Sequence, residues 1–522
     1  MSIALSAHLP LLATAPGGIQ KLRGLILELA VRGKLVAQDP NDEPASELLK
    51  QIKQERVRLE TDGSCKKSKA TPIVEVDEQP FALPHSWVWT RLGEITNFGQ
   101  TDKEGEIRDT TWVLDLEDIQ KDTSVLLRKV RFAERQAKSD KNRFQEGDVL
   151  YGKLRPYLNK VIVADEEGVC TTEILPFRGY YGVFPRYLMH AVKRPDFLAY
   201  VNSKSYGMKM PRLGTDDGRL ALLPLPPLKE QHRIVAKIDE LMALCDRLEA
   251  EQMDAATAHT RLVETLLGTL TQSTDPADLT ANWQRLAEHF DSLFTTEASI
   301  KALKQTVLQL GVQGLLTNLP NIPTVKLGDL LIDACYGTSQ KSHAERADGA
   351  YPVLRIPNVV HEMIDLRDLK FSVLEEKELQ KTRLLEGDIV VVRTNGSAEL
   401  VGRCAVVKDL QEVSAFASYM IRLRFDSTTV QPEFAQCALR NHRLQNRMID
   451  FARTTAGQYN VSIGRLKELE MPLPSLAEQH CIVAKVDELM ALCDRLKADL
   501  ATARQRQAML ADTLIESALE AA

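Results

Sequence analysis

Several short stretches of this 522-residue chain combine side chains that could grip a nucleic acid. Gly152-Lys153-Leu154-Arg155-Pro156-Tyr157-Leu158-Asn159-Lys160 sets three cations, Lys153, Arg155 and Lys160, around a stiff Arg-Pro turn and one aromatic, Tyr157. Cations so spaced suit phosphate oxygens, and a side chain at the turn can reach a base edge. An ordinary solvated loop is the competing reading. Lys209 and Arg212, in Lys209-Met210-Pro211-Arg212, repeat the pattern on a smaller scale. Arg393-Thr394-Asn395-Gly396-Ser397 carries the two side chains whose planar forks match purines, arginine for guanine O6/N7 and asparagine for adenine N6/N7, with Ser397 beside them. Asn-Gly is also a strong turn signal, so a plain hairpin competes there.

A catalytic centre is not legible. Gly33-Lys34 and Gly152-Lys153 are each followed by leucine, so neither closes a GxxxxGK(S/T) phosphate loop. There is no Asn/Asp-Pro-Pro-Tyr/Phe tetrapeptide of an amino-methyltransferase, no Gly-rich cofactor loop and no PD…(D/E)xK nuclease pattern. Eight cysteines lie scattered between Cys65 and Cys493 without a CxxC pair or a histidine at ligand spacing. That is the usage of reduced thiols in a cytoplasm, not of a disulfide framework or a zinc site. His232 and His480 read as packing or surface residues. No apolar run approaches the roughly 18–20 residues that cross a bilayer. The apolar Met1–Leu5 start lacks a basic flank and is broken by His8 and Pro10, which argues against a signal peptide. The expectation is a non-catalytic chain with no metal and no cofactor of its own.

The elements that would hold these stretches are written twice. Pro224–Leu248 returns as Pro472–Leu496 with only four differences, Pro227/Ser475, Lys229/Ala477, Arg233/Cys481 and Ile238/Val486. Weaker echoes keep the same order: Ile19…Gly33 with Ile300…Gly314, and Glu146-Gly147-Asp148 with Glu386-Gly387-Asp388. The repeated PLPxLxEQH block reads as a helix start, with Glu230 in a first turn where an acid suits the helix dipole. Downstream, Ile234, Ile238, Leu241, Cys245 and Leu248 recur at the 3.5-residue period of a coiled-coil seam. Ile482, Val486, Leu489, Cys493 and Leu496 do the same. Two near-identical seams have each other as ready partners; packing as plain bundle helices on their own domains is the alternative.

Between the helical parts lie residues 85–222 and 319–470, with short β-rich runs such as Val161-Ile162-Val163 and Ile389-Val390-Val391-Val392 punctuated by Gly and Pro. These read as two α/β globules of similar topology, the first preceded by a linker at 61–84. The chain carries 66 Lys+Arg against 72 Asp+Glu, so net charge is no argument for nucleic acid. Residues 128–160 nevertheless hold ten basic against four acidic residues, a local excess that suits phosphate contact.

The doubled PLPxLxEQHxIVAKxDEL block, together with Arg32-Gly33-Lys34-Leu35-Val36 and the Asp42-Glu43-Pro44-Ala45 run, resembles the specificity subunit of type I restriction-modification systems. The resemblance covers nearly the whole chain, with the RGKLV copy at the N-terminus as in a circularly rearranged layout. It implies an α+β protein in which two α/β target-recognition domains are separated by long antiparallel coiled-coil helices, with an internal pseudo-twofold repeat. The expected segments are an N-terminal helical segment at 1–60, the linker, target-recognition domains at 85–222 and 319–470, a central helical region at 223–318 and a C-terminal one at 471–522. It implies double-stranded DNA, two methyltransferase subunits and motor-nuclease subunits as partners, with S-adenosylmethionine, ATP and Mg only on those partners. It also places two further polar loops near DNA, Tyr336–Lys341 with Thr338 and Lys341, and Thr454–Asn460 with Gln458 and Asn460. Two divergent readers should recognise an asymmetric bipartite target, with the helices as the ruler between half-sites. A coiled-coil protein scaffold without sequence-specific DNA binding is the rival reading.

Overall fold

The computed structural model describes residues 11–63, 65–67, 69–104, 107–135, 141–273, 276–319, 322–360, 362–452 and 457–520. The chain divides into two compact units, 1–253 with 504–522, and 254–503. The helical regions expected as single segments at 223–318 and 471–522 are therefore each shared between units. The first long helix, Leu228–Thr271, gives its start to the first unit and its end to the second, and the second long helix, Leu476–Glu520, does the reverse. Each unit thus holds opposite ends of the two helices, the antiparallel arrangement.

Inside the first unit, strands Val88–Arg91 and Leu222–Leu225 pair antiparallel and bring the two ends of the globule together. Between them run a five-stranded sheet and a three-stranded one. In the larger sheet Trp112–Leu114 lies parallel to Gly168–Thr171, while Val149–Gly152 is central in the smaller. The second unit repeats the plan. Thr324–Lys326 pairs with Glu470–Pro472, Val353-Leu354 runs parallel to Ala415-Phe416, and Ile389–Val392 lies inside a four-stranded sheet. Central strands here read as unbroken apolar runs because both faces are covered; Ile389, Val390, Val391 and Val392 are all buried.

The repeated Glu-Gly-Asp motif is a turn lock. Gly147 and Gly387 sit at φ +83° and +84°, the left-handed region that glycine enters without a side-chain clash. Asp148 accepts from the Gln145 amide at 2.8 Å and from Arg178, and Asp388 accepts from the Leu385 amide at 2.7 Å and from Arg424.

The seam residues are buried, but their cover differs from the expected pairing of like with like. Ile234, Ile238, Leu241 and Cys245, with half-buried Leu248, share a core with Leu22, Leu25, Ile26 and Leu29 of the helix Gly18–Val31. Ala511, Leu514 and Ile515 of the second long helix join them. Ile482, Val486 and Cys493, with half-buried Leu489 and Leu496, pack with Ile300, Leu303 and Val307 of the helix Glu297–Val312, and with Val263 and Leu267. Each seam is therefore covered by a third, short helix as well as by the far end of the other long one. A Cβ on Gly311 would stand 2.6 Å from Val486 Cγ2, so the short helix approaches the seam at glycine. Equivalent ion pairs fasten both contacts, Arg23 to Asp246 and Lys304 to Asp494.

The Gln of each EQH triplet explains why that block is repeated so faithfully. Gln231 is buried, accepts from the Phe184 amide at 2.8 Å and donates to the Pro226 carbonyl at 3.1 Å. Gln479 accepts from the Gln431 amide at 2.8 Å and donates to the carbonyls of Thr429 and Pro474 at 3.0 and 2.9 Å. Phe184 and Gln431 are N-caps of the helices Pro185–Lys193 and Pro432–Arg440, so each glutamine ties a long helix to its own globule. Gln479→Leu would strand one buried and two partly buried backbone groups, and should lower stability by about 1–3 kcal/mol in thermal or urea unfolding of the full chain. A loss under about 0.5 kcal/mol would show that water substitutes there.

Two of the four differences in the block also have causes. Ser475 donates its amide to Glu478 at 2.8 Å, a helix-start bond that Pro227, lacking an N–H, cannot make. Glu230 instead takes the Trp87 indole at 3.0 Å and the Gln38 amide at 2.6 Å. Arg233 pairs with buried Asp42 of the Asp-Glu-Pro-Ala run at 2.6 Å; the second copy lacks that run and carries Cys481 instead. His232 stacks on Phe184 at 4.0 Å, and exposed His480 bonds the Leu476 carbonyl one turn back in its own helix.

Candidate nucleic-acid interface

In the first unit, strand Val149–Gly152 runs directly into the Lys153–Lys160 turn. Lys153 donates its amide to the Glu173 carbonyl at 2.9 Å and its carbonyl accepts from Leu213 at 3.0 Å. Arg155 then takes a left-handed conformation, φ 50°, held by its amide on the Pro211 carbonyl at 2.7 Å. The two basic stretches predicted separately, 153–160 and 209–212, are therefore one surface. Lys209 is exposed, Lys153 is half-buried and Tyr157 presents its ring to solvent; neither lysine has an ion-pair partner among the described residues. The Arg155 Nε is buried without a hydrogen bond among the described residues, while the rest of the side chain reaches the surface.

Two residues of this set are turned inward. Lys160 spends its ammonium on the Leu116 carbonyl at 2.7 Å, and so braces the turn. Arg212 pairs with Glu173 at 3.0 Å and anchors the base of its loop. The basic excess of 128–160 is likewise neutralised locally. Arg128 and Arg135 converge on Asp118, Lys129 on Asp165 and Arg131 on Glu166. Burial opposes ionisation of Asp118, but bonds from Arg135, the Asp115 amide and Arg128 outweigh it and hold the carboxyl below its usual range. The acids lie outside the window that was counted or far from the cation in sequence, so the local tally overstated the positive field. Residues 136–140 of that window lie outside the described residues.

The second unit builds the same corner with other side chains. Strand Ile389–Val392 runs into Arg393, whose amide donates to the Tyr419 carbonyl at 2.9 Å and whose carbonyl accepts from Val461 at 2.9 Å. Thr394-Asn395 then pairs with Tyr459-Asn460. The expected 393–397 and 454–460 loops thus meet; Thr454, Thr455 and Ala456 lie outside the described residues. Arg393 lies 4.3 Å above the Tyr336 ring and donates to Asn460 Oδ1 at 2.9 Å, an oxygen that Thr394 also uses. Tyr336 in turn accepts from the Ile463 amide at 3.1 Å. Asn395 Oδ1 takes the Ser397 amide at 2.9 Å, a local Asx turn rather than a hairpin to the next strand. Ser397, Gln458 and Lys341 are exposed beside this corner's loops.

Thr338 is a correction. It is buried, its hydroxyl is committed to Glu378, and its backbone bridges Phe416 and Ser418, so it shapes the loop rather than facing a ligand. Tyr336, expected only as the first residue of a polar loop near DNA, is the platform on which Arg393 lies. An aromatic at the end of a strand, facing an arginine at the end of its neighbour, was the signal available.

Lys153-Leu154-Arg155 and Arg393-Thr394-Asn395 therefore occupy one structural position with different chemistry, which defines a duplicated two-lobed binding protein. The comparisons with known proteins agree. Residues 321–502 match the family described as "Type I restriction modification DNA specificity domain". The type I restriction enzyme EcoAI specificity subunit of Escherichia coli is 33% identical, over 96% of this chain and 94% of that one. The EcoEI specificity subunit of Escherichia coli is 31% identical over the same shares. A chain solved in work on "complex assembly and conformational transition of the type I R-M system" has the same fold, with a TM-score of 0.54, 20% identity and coverage of 84% of this chain and 99% of that one. This chain belongs to the family of type I restriction enzyme specificity subunits. No helix among the described residues is long and apolar enough to cross a membrane.

Proposed function

We propose that this chain is the DNA-reading subunit of a cytoplasmic type I restriction-modification complex. Residues 85–222 recognise one half of an asymmetric bipartite target and residues 319–470 the other, and the long helices act as the ruler between them. Two methyltransferase subunits and motor-nuclease subunits perform adenine methylation and cleavage, and S-adenosylmethionine, ATP and Mg belong to them. The observation that carries the reading is one corner built twice with different readers: cations and a tyrosine in the first unit, an arginine stacked beside two asparagines in the second. A duplicated scaffold with divergent tips suits two unlike half-sites, whereas a plain protein scaffold gives no reason for guanidinium and amide forks at matched positions. The test is adenine-methylation mapping in cells carrying the chain and its partner subunits. Exchanging residues 85–222 for those of a relative should change one half-site and leave the other intact. A change in both halves, or in neither, would sink the reading. Methyl transfer by the purified chain alone would overturn its non-catalytic role.

A further inference from the structure

We infer that the loop Tyr206–Arg212 is an apolar probe, which reads the C5-methyl group of thymine in the half-site of the first unit; the inference rests on the DNA-reading role proposed above. The loop is a tight bend closed by one antiparallel bridge. Tyr206 donates its amide to the Arg212 carbonyl at 3.0 Å, and Arg212 donates back to Tyr206 at 2.9 Å. Its base is clamped by the Arg212–Glu173 ion pair and by the Arg155 amide on Pro211.

What the loop carries is unusual for a solvent-facing surface. Met208 at the tip is fully exposed, Tyr206 is 63% exposed and Met210 47%, and Tyr157 on the adjoining turn is 46% exposed. Four large apolar side chains on one corner form a contact surface, not scattered exposure. The rim carries Lys153 and Lys209 on these two segments and Lys204 at the end of the preceding helix; of the acids, Glu173 is already paired with Arg212, while Asp217 stands close to the Tyr206 ring. A positive rim around an apolar tip fits a polyanion whose groove floor presents methyl groups. It does not suit an apolar protein groove, where lysines would be desolvated. Methionine is long, unbranched and polarizable, and adapts to a flat base edge.

The second unit sharpens the assignment. The stretch aligned with Ser205–Arg212 is Arg453–Asn460, with Thr, Thr, Ala, Gly and Gln where the first has Tyr, Gly, Met, Lys and Met. One half-site is thus read by apolar contact and the other by hydrogen-bond forks.

The experiment is competition binding by the full chain in complex with its methyltransferase partner, on a duplex bearing the mapped methylation site. Each thymine of the half-site assigned to residues 85–222 is replaced singly by uracil, which removes only the methyl group. At one or more positions the wild-type complex should bind about fourfold more weakly, the effect of roughly one buried methyl group. With Met208→Ala the same replacement should cost less than about twofold. If no thymine in that half-site shows a penalty, or if Met208→Ala keeps the full penalty, the inference is overturned while the DNA-reading role stands. If the wild-type complex does not prefer the mapped duplex to a scrambled one, the role itself falls and the inference with it.

Discussion

Arg393→Ala is expected to weaken binding to the mapped target by about 5- to 150-fold, and to relax the sequence requirement at one base pair of one half-site. The range is the worth of one well-formed guanidinium–guanine pair, roughly 1–3 kcal/mol. Arg393 is prepared for that task before DNA arrives. Its plane is set by the Tyr336 ring at 4.3 Å and by the bond to Asn460 Oδ1 at 2.9 Å. Little side-chain entropy is then lost on binding; Nε is buried and Nη1 reaches the Ser418 carbonyl at 3.4 Å, so it is the remaining Nη hydrogens that are offered to a base. Arg393→Lys should not rescue, because an ammonium can neither lie flat on the ring nor present two parallel N–H groups. Tyr336→Leu should give a smaller loss of the same kind, since it releases the fork without removing it. Competition binding with each base pair of the half-site permuted checks all three variants. A uniform loss over all sequences, with the salt slope reduced by about one, would instead make Arg393 a phosphate contact.

The sequence made the scaffold legible because scaffold residues answer to local rules. The 3.5-residue seams, the glycine of the Glu-Gly-Asp turn and the proline-led helix starts all follow from spacing within a few residues. What it hid were partners that only the fold brings near. Lys129 and Asp165, or Arg212 and Glu173, are separated by a sheet's worth of chain, so a count of charges could not show that they cancel. The third helix on each seam was hidden for the same reason: Gly18–Val31 and Glu297–Val312 carry their own apolar stripes, but nothing local says which surface they cover. Thr338 looked like a loop hydroxyl because burial is not written in a Gly-rich, polar stretch. The Met208 loop was named only for its lysine and arginine, since exposed methionines cannot be told from core ones until the backbone is drawn.

A second large effect lies away from any DNA-facing surface, in stability against pH. Glu28 is buried on the helix Gly18–Val31, where it meets Asp196 at the start of the helix Pro195–Lys204. The Asp196 amide donates to Glu28 at 3.2 Å, and Arg194 lies 3.4 Å from the Asp196 carboxylate. Burial, reinforced by the Asp196 carboxylate, raises the Glu28 carboxyl to about 8 although Arg32 Nε stands 3.5 Å away, and so favours its protonated, donor form at neutral pH. A folded-state value above the unfolded one gives stability that is fully present below about pH 4.5 and is lost as pH rises through about 8. Over that window the unfolded chain has already released the proton that the folded chain retains. Glu28→Gln keeps the donor and removes the titration. It should be nearly neutral at pH 5 and stabilising by about 2–4 kcal/mol at pH 9, a discounted figure for a coupled pair. The second copy of the repeat offers a natural control, because the position equivalent to Glu28 is Gln309. Hydrogen exchange of the segment 18–31 should therefore accelerate between pH 5 and pH 9, beyond the intrinsic chemical rate, in the wild type alone. Segment 297–312 should show no such excess in either protein. Equal protection of segment 18–31 in wild type and variant at pH 9 would mean that the pair is solvated when ionised, and the pH dependence would have to be sought elsewhere.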